Sequence, residues 1–542
     1  MVWNHGGMKT ATYTLLQLLT FLALVVGCDG SSYSSSISDS TAIVYRGNGG
    51  DPGSLDPALA EDVQAFNILT DLYEGLVSES ATGELVPGVA ESWTISDDGL
   101  VYTFTLRGDA RWSNGDAVTS LDFVNAFRRV ANPGTASVYG FLLEPILHFA
   151  DVQNGSLPAD QLGVAAVHER ILEIRLVEPS PQVLAVLAMP IAFPTHESTV
   201  AKRAFADPDT FVGNGAYSLI AYNIGGPTRL RRNPMYWDAG SVAVEEIVYL
   251  PIVDPGTELN MYRAGELDIT NSIPPEHIRL LRENRRDEVR IAPSLALYYL
   301  AFDLTEPPLD NAALRQALTM AINREQLVSL IGRGEQPAFG IVPHGVTGHV
   351  SSEFAWRAFS DDERLRRARA LYRGAGYSKN SALAIKYTYD AGDIHEKVAL
   401  AVSSMWRDVL GVEVTLEKRE WQYFLQTRDN RAEWQVMRFA WFGDYNHAST
   451  FTNIFRSDDP QNLSAYANPE YDRLLAAASS ETDLASRIVH MTKAESVLLA
   501  DYPIAPLYFF VSKHLVRPGI AGFENNALDR HPSKYLFLEQ KP

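Results

Sequence analysis

The chain has 542 residues, of which 46% are hydrophobic and 21% charged, and its net charge is −20. That length exceeds one ordinary domain of roughly 100–200 residues, and the composition excludes a disordered chain. The acidic balance argues against nucleic acid as a partner, because phosphate binding needs a basic surface.

Leu15–Val26 (LLQLLTFLALVV) is the first element, a mostly apolar run. A membrane-spanning helix needs about 20 residues, so this shorter run fits the core of a signal peptide, with Lys9 as its positive flank. The preceding MVWNHGG carries no Lys or Arg, which points to Met8 as the start of translation. Val25-Val26-Gly27-Cys28 then resembles a lipobox, in which lipid is attached to the cysteine and the chain is cut before it. The alternative is an ordinary signal peptide cleaved elsewhere, with Cys28 buried. Cys28 is the only cysteine, so no intrachain disulfide is expected. Residues 1–27 read as a lipoprotein signal peptide and 28–40, rich in serine, as a flexible tether. Asp29 resembles the signal that holds lipoproteins at the inner membrane of Gram-negative bacteria. With a single membrane, the anchor would lie on the outer face of the cell membrane.

From Thr41 onward helical and strand patterns mix. Ala42–Arg46 reads as a strand and 47–56 as a loop. Asp62–Leu76 has helical spacing of Val63, Phe66, Leu69, Leu72, Tyr73 and Leu76. Trp93–Ile95 and Tyr102–Leu106 read as paired strands around an Asp97-Asp98-Gly99 turn. Ser120–Arg129 is a predicted helix with Ser120 as its cap. Further helices are predicted over Asn311–Leu330, Glu363–Ala375, His395–Val409 with Gly411 behind it, and Asp472–Ala500. Val412–Leu416 and Leu507–Val511 read as strands. No internal repeat and no second linker stands out.

Several segments together carry a family likeness: Ser54-Leu55-Asp56-Pro57, Asp71-Leu72-Tyr73-Glu74-Gly75-Leu76, Pro87-Gly88-Val89-Ala90-Glu91-Ser92-Trp93 and Phe104-Thr105-Leu106-Arg107. Ala110-Arg111-Trp112-Ser113-Asn114-Gly115-Asp116, Asp122-Phe123, Asn214-Gly215-Ala216-Tyr217, Asn233-Pro234-Met235-Tyr236-Trp237 and Leu314-Arg315-Gln316-Ala317-Leu318 continue it. In this order they resemble the peptide/nickel family of ABC-importer binding proteins, most closely its oligopeptide-binding members. The resemblance implies an α/β, two-lobed periplasmic-binding-protein fold with a hinge and an extra domain on the N-terminal lobe. It maps lobe one onto 41–73, 203–295 and 511–542, the extra domain onto 74–202, and lobe two onto 296–510.

The resemblance also implies capture of short peptides as extended strands in the cleft between lobes, and delivery to an ABC transporter permease. A peptide held this way needs a carboxylate for its α-amine and cations for its far end. Asp444, in Arg438-Phe439-Ala440-Trp441-Phe442-Gly443-Asp444-Tyr445, matches the residue that meets the α-amino group. Arg438, Arg428 and His395 match cleft cations, and Glu61 a cleft carboxylate. Tyr139, Trp421, Trp441, Tyr508 and Phe510 match pocket walls. Phe510 departs from the pattern, standing where a Tyr hydroxyl is expected. Phe442 and Ala296 occupy positions where relatives pair two cysteines. The family's distal Lys has no counterpart at Ile331-Gly332, where Arg333 is the adjacent cation.

Other classes of function find less support. No G-x-S-x-G elbow or P-loop occurs, and His168-Glu169, His196-Glu197 and His395-Glu396 lack the second histidine of a zinc protease. No cofactor and no metal is implied, and the expected state is a monomeric periplasmic lipoprotein. A peptide sensor or murein-peptide recycling receptor would use the same cleft chemistry.

Overall fold

A computed structural model describes residues 42–346, 349–378, 380–430, 433–481 and 483–539, without the side chains of Asp393, Trp421, Gln422, Leu425 and Asp429. Cys28, the signal run and the tether lie outside the described residues. Among those residues no helix is long and apolar enough to cross a membrane.

Local sequence signals set most element limits and moved some from where the pattern put them. Helix Val63–Leu72 starts where the Asp62 carboxylate accepts from Ala65 N at 2.7 Å. It stops short of the expected Leu76 because Asn214 clamps the next backbone, accepting from Glu74 N at 3.1 Å and donating to Glu74 O at 2.9 Å. Strands Ala90–Ile95 and Val101–Leu106 pair antiparallel, and Gly99 in their turn has φ +71°. Thr119, not Ser120, caps helix Ser120–Ala131: the Asp122 carboxylate reaches back to Thr119 N at 2.7 Å, while Ser120 Oγ donates to the His168 carbonyl. The single helix expected over Asn311–Leu330 is two, Ala312–Ala321 and Arg324–Ile331, because Asn323 caps a fresh start by accepting from Gln326 N at 2.9 Å. Asp483 does the same between Pro469–Ser480 and Leu484–Asp501, accepting from Ser486 N at 2.8 Å. Helix Asp393–Leu410 ends at Gly411, φ +82°, as its sequence suggested.

The architecture is α/β and two-lobed. One mixed sheet places Ile43–Gly47 parallel to Glu246–Leu250, followed by Thr228–Arg232 and Tyr217–Ala221. An antiparallel sheet orders Ala90–Ile95, Val101–Leu106, Ile171–Arg175 and Val164–His168. The largest sheet orders Gln336–Pro337, Ile504–Leu515, Val289–Phe302, Val436–Phe442, Ala384–Asp390 and Glu413–Arg419. Its apolar core draws on residues between Leu295 and Phe509 together with Ala527. A second core joins Val44 to Tyr249 with Ile269 and residues from Val516 to Leu536. A small third core gathers Leu259, Tyr262, Ile278 and Leu515. Val289–Phe302 and Ile504–Leu515 are long because each passes from the third core, at Val289 and Leu515, into the first.

Candidate functional site

Strand Val436–Phe442 presents alternate side chains to opposite faces. Arg438, Ala440 and Phe442 share one face with their antiparallel partners Leu300, Tyr298 and Ala296. Phe442 and Ala296, the positions of the expected missing disulfide, stand opposite each other. Trp441 lies on the other face, half-buried, with its indole N–H donating to Thr450 Oγ1 at 3.4 Å.

Arg438 is buried and its Nε donates to Asp390 Oδ1, at the end of strand Ala384–Asp390. Its guanidinium lies 5.3 Å from the Phe424 ring and 5.8 Å from that of Tyr298. His395, in the first turn of helix Asp393–Leu410, joins the same cluster. Its Nδ1 is 3.2 Å from the Tyr298 hydroxyl and its Nε2 3.7 Å from Asp390 Oδ2. Burial, followed by the Arg438 charge and against the pull of Asp390, lowers the imidazole to about 4, so it is neutral at physiological pH. Arg333 acts on His395 in the same direction.

An aromatic ladder leads away from this cluster. Tyr298 stacks on Tyr508 at 4.7 Å, Tyr508 meets Phe510 edge-on at 5.3 Å, and Phe510 tilts against Phe442 at 5.1 Å. Phe442, at its far end, is 60% exposed. Beyond it comes Asp444. Burial raises its pKa above the ordinary carboxylate value, and the nearby Arg530 charge only partly offsets this. Arg530 donates to the Asp444 carbonyl at 3.1 Å and pairs with buried Glu79 at 3.0 Å. Tyr139, in the turn Val138–Leu143, is half-buried within electrostatic reach of Asp444, Arg530 and Glu61, and packs edge-on against Phe66 at 5.8 Å.

The expected site residues therefore fall into two groups. Arg438, His395, Tyr508 and Phe510 converge around Tyr298; Asp444 and Glu61, with Arg530, lie within electrostatic reach of Tyr139. Glu61 itself is exposed, ahead of the Asp62 cap. Arg428 is half-buried in the last turn of helix Trp421–Asp429. Trp421 opens that helix, and its side chain lies outside the described residues.

A family model described as bacterial extracellular solute-binding proteins, family 5 middle, matches residues 84–462. The chain belongs to this family. Family 5 proteins bind solutes for transporters and are binding proteins rather than enzymes. The periplasmic oligopeptide-binding protein OppA of Escherichia coli strain K12 is 36% identical over 502 residues, which cover 91% of this chain and 92% of OppA. The unliganded open form of the murein tripeptide-binding protein MppA superimposes with a TM-score of 0.87 at 33% identity, covering 92% of this chain and 99% of MppA. Haemophilus influenzae OppA in complex with RPPGFSPFR, also at 33% identity with coverage of 92% and 99%, gives 0.70. At equal identity and coverage the chain superimposes better on the open form of MppA than on the peptide complex of OppA.

Sequence reasoning missed the partners that set the chemistry of both groups. Asp390, Tyr298 and Arg530 come from segments far from Arg438 and Asp444 in the chain. Asp390 carried one signal, an acid closing a strand just before Ala391-Gly392; the other two carried none.

Proposed function

We propose that the chain captures short peptides in the cleft between its lobes and delivers them to an ABC transporter permease. One observation carries the reading. A single strand with its extension bears the Arg438 guanidinium and, six residues on, the carboxylate of Asp444, which burial leaves poorly stabilised as an anion. Fully extended backbone at roughly 3.3 Å per residue would put their Cα atoms at most about 20 Å apart. Less the reach of both side chains, that gap suits an extended peptide of about three to five residues. Asp444 receives the α-ammonium, for which a carboxylate partner offsets the loss of water. Arg438, shared with Asp390, receives the carboxylate of the shorter peptides. Neutral His395, with Arg333 behind it, receives that of longer ones by taking up a proton. Glu61 and Arg428 balance charge at the cleft. Tyr139, Trp421, Trp441, Tyr508 and Phe510 border the side-chain space, where aromatic surface and water together tolerate varied residues.

The remaining assignments belong to the same proposal. Lobe one comprises 41–73, 203–295 and 511–542, the extra domain 74–202, and lobe two 296–510. The mature protein is a monomer held at the periplasmic side of the inner membrane by lipid on Cys28. The likeness to MppA supports a second reading, a murein-peptide receptor using the same cleft.

Asp444→Ala tests the site. Calorimetric affinity for a free-amine tripeptide should fall at least tenfold with the circular dichroism spectrum unchanged, and an N-acetylated tripeptide should bind wild type as weakly. Equal affinity in both comparisons removes the assignment. Mass spectrometry of ligands released from the as-purified protein separates murein peptides from ordinary ones.

A further inference from the structure

Strand Ile504–Leu515 carries His514 next to its end, and the C-terminal passage brings Asp529 and His531 against it. His514 Nε2 lies 2.7 Å from Asp529 Oδ1, and His531 Nε2 lies 3.1 Å from the same oxygen. One ligand atom from each residue falls within 4.8 Å of the others. We propose that His514, Asp529 and His531 form a binding site for a divalent transition-metal ion of the zinc class.

The donor set is two imidazoles and one carboxylate, which suits zinc and its neighbours rather than magnesium or calcium. Ligand atoms around a tetrahedral zinc ion stand about 3.3 Å apart, given bonds of about 2.0–2.1 Å. The atoms here need shifts of under about 1 Å to reach that spacing. Orientation is already fixed from behind. His514 Nδ1 lies 2.8 Å from the Thr270 carbonyl, which can only accept, so that nitrogen holds a proton and Nε2 is turned toward the site. Phe523 holds both rings, stacking on His531 at 3.7 Å and meeting His514 edge-on at 5.3 Å. Asp529 adopts φ +56°, a left-handed conformation that an aspartate tolerates at some cost, and this aims its carboxylate at both imidazoles.

Access and charge are also favourable. Both imidazoles are buried, but the Asp529 side chain is 34% exposed, which leaves an entry path and a position for a fourth ligand. Arg46, whose guanidinium donates to the His531 carbonyl, is matched by buried Asp71. Lys513 is matched by Glu335 at 3.4 Å, and Glu258 adds a further acid within reach of His514. An ion here would tie the C-terminal passage to a strand running between two cores. The same passage also reaches the other long strand, where Leu295 N donates to the Ala527 carbonyl at 2.8 Å.

The test uses the full-length chain, dialysed against chelator and titrated with zinc chloride at pH 7.5. Calorimetry should show one ion per chain with micromolar or tighter affinity, and the melting temperature should rise with zinc concentration. Asp529→Asn keeps a residue that tolerates the left-handed conformation and an oxygen for both imidazoles, yet should weaken zinc binding at least tenfold. His531→Gln should do the same. Crystals of the zinc-loaded wild type should show an anomalous peak within bonding distance of both Nε2 atoms, a readout that needs no variant. Absence of that peak, no stoichiometric uptake, or identical affinity in wild type and both variants leaves a hydrogen-bonded triad only and overturns the proposal.

Discussion

A carboxylate half withdrawn from water is a poor anion until a cation reaches it. Asp444 is in this state: burial pushes its pKa up, and Arg530 spends much of its charge on Glu79. Arg438 is the opposite case, a buried cation already neutralised by Asp390. In the proposed site, the amine end therefore stands to gain more from a ligand than the carboxylate end. The pH dependence follows from Asp444. Only its ionised form holds an ammonium, and the free site takes up a proton at a higher pH than an ordinary carboxyl of 3.8. Affinity for a free-amine tripeptide should fall as pH drops from 7 toward 4, approaching tenfold per unit below the free-site pKa. His395 gains charge only near the bottom of that window and acts the other way, toward a peptide carboxylate. Calorimetry across the range should show the fall in wild type and a weak, flat profile in Asp444→Asn. A flat wild-type profile would contradict the role of Asp444.

One strand carries much of the proposed site, and its alternation decides which neighbours matter. Phe442 shares the Arg438 face and ends the ladder Tyr298–Tyr508–Phe510. Its exposure leaves a large apolar surface between the two charged ends, where a central peptide side chain would lie. Covering such a ring stabilises by about 1.5–3 kcal/mol at most. Phe442→Ala should therefore weaken a tripeptide with leucine or phenylalanine at its middle position about tenfold, while trialanine changes less. Equal losses for both peptides would show that Phe442 does not read side chains. The same strand shows what a sequence can and cannot disclose. Arg438 and Asp444 could be singled out as candidates because they belong to one continuous segment. Their partners Asp390 and Arg530 could not, since pairing across the fold leaves no local pattern. The facing of Trp441 became visible only when register fixed which residues look the same way. Helix starts were legible from Asp62 and Asn311, but Asn323 and Asp483 acted as caps inside runs whose apolar spacing continued across them.

At the scale of the molecule, what matters is how the large sheet connects the cores. Val289–Phe302 and Ile504–Leu515 pair in register from Val289 to Pro293, lose register before Leu297, and pair again from there with a further shift between Tyr298 and Tyr299. Pro293 has no N–H to give the ladder, so the pairing is weakest where the strands pass from one core to the next. A weak stretch of that kind absorbs backbone rotation while the rigid lobes on either side keep their packing. Asp444 already stands beside Tyr139 and Arg530, which belong with the second core, whereas Arg438 is surrounded by groups of the first. On the proposed reading, a peptide anchored at Asp444 would add contacts to both lobes as they approach, and its differential affinity for the closed state would drive the change. In small-angle X-ray scattering, the radius of gyration should fall when a saturating free-amine tripeptide is added. Asp444→Ala should show the same fall only at peptide concentrations at least tenfold higher, in step with its weaker binding. An unchanged radius at calorimetrically proven saturation would mean that the peptide binds without bringing the lobes together, and the register break would then have no part in capture.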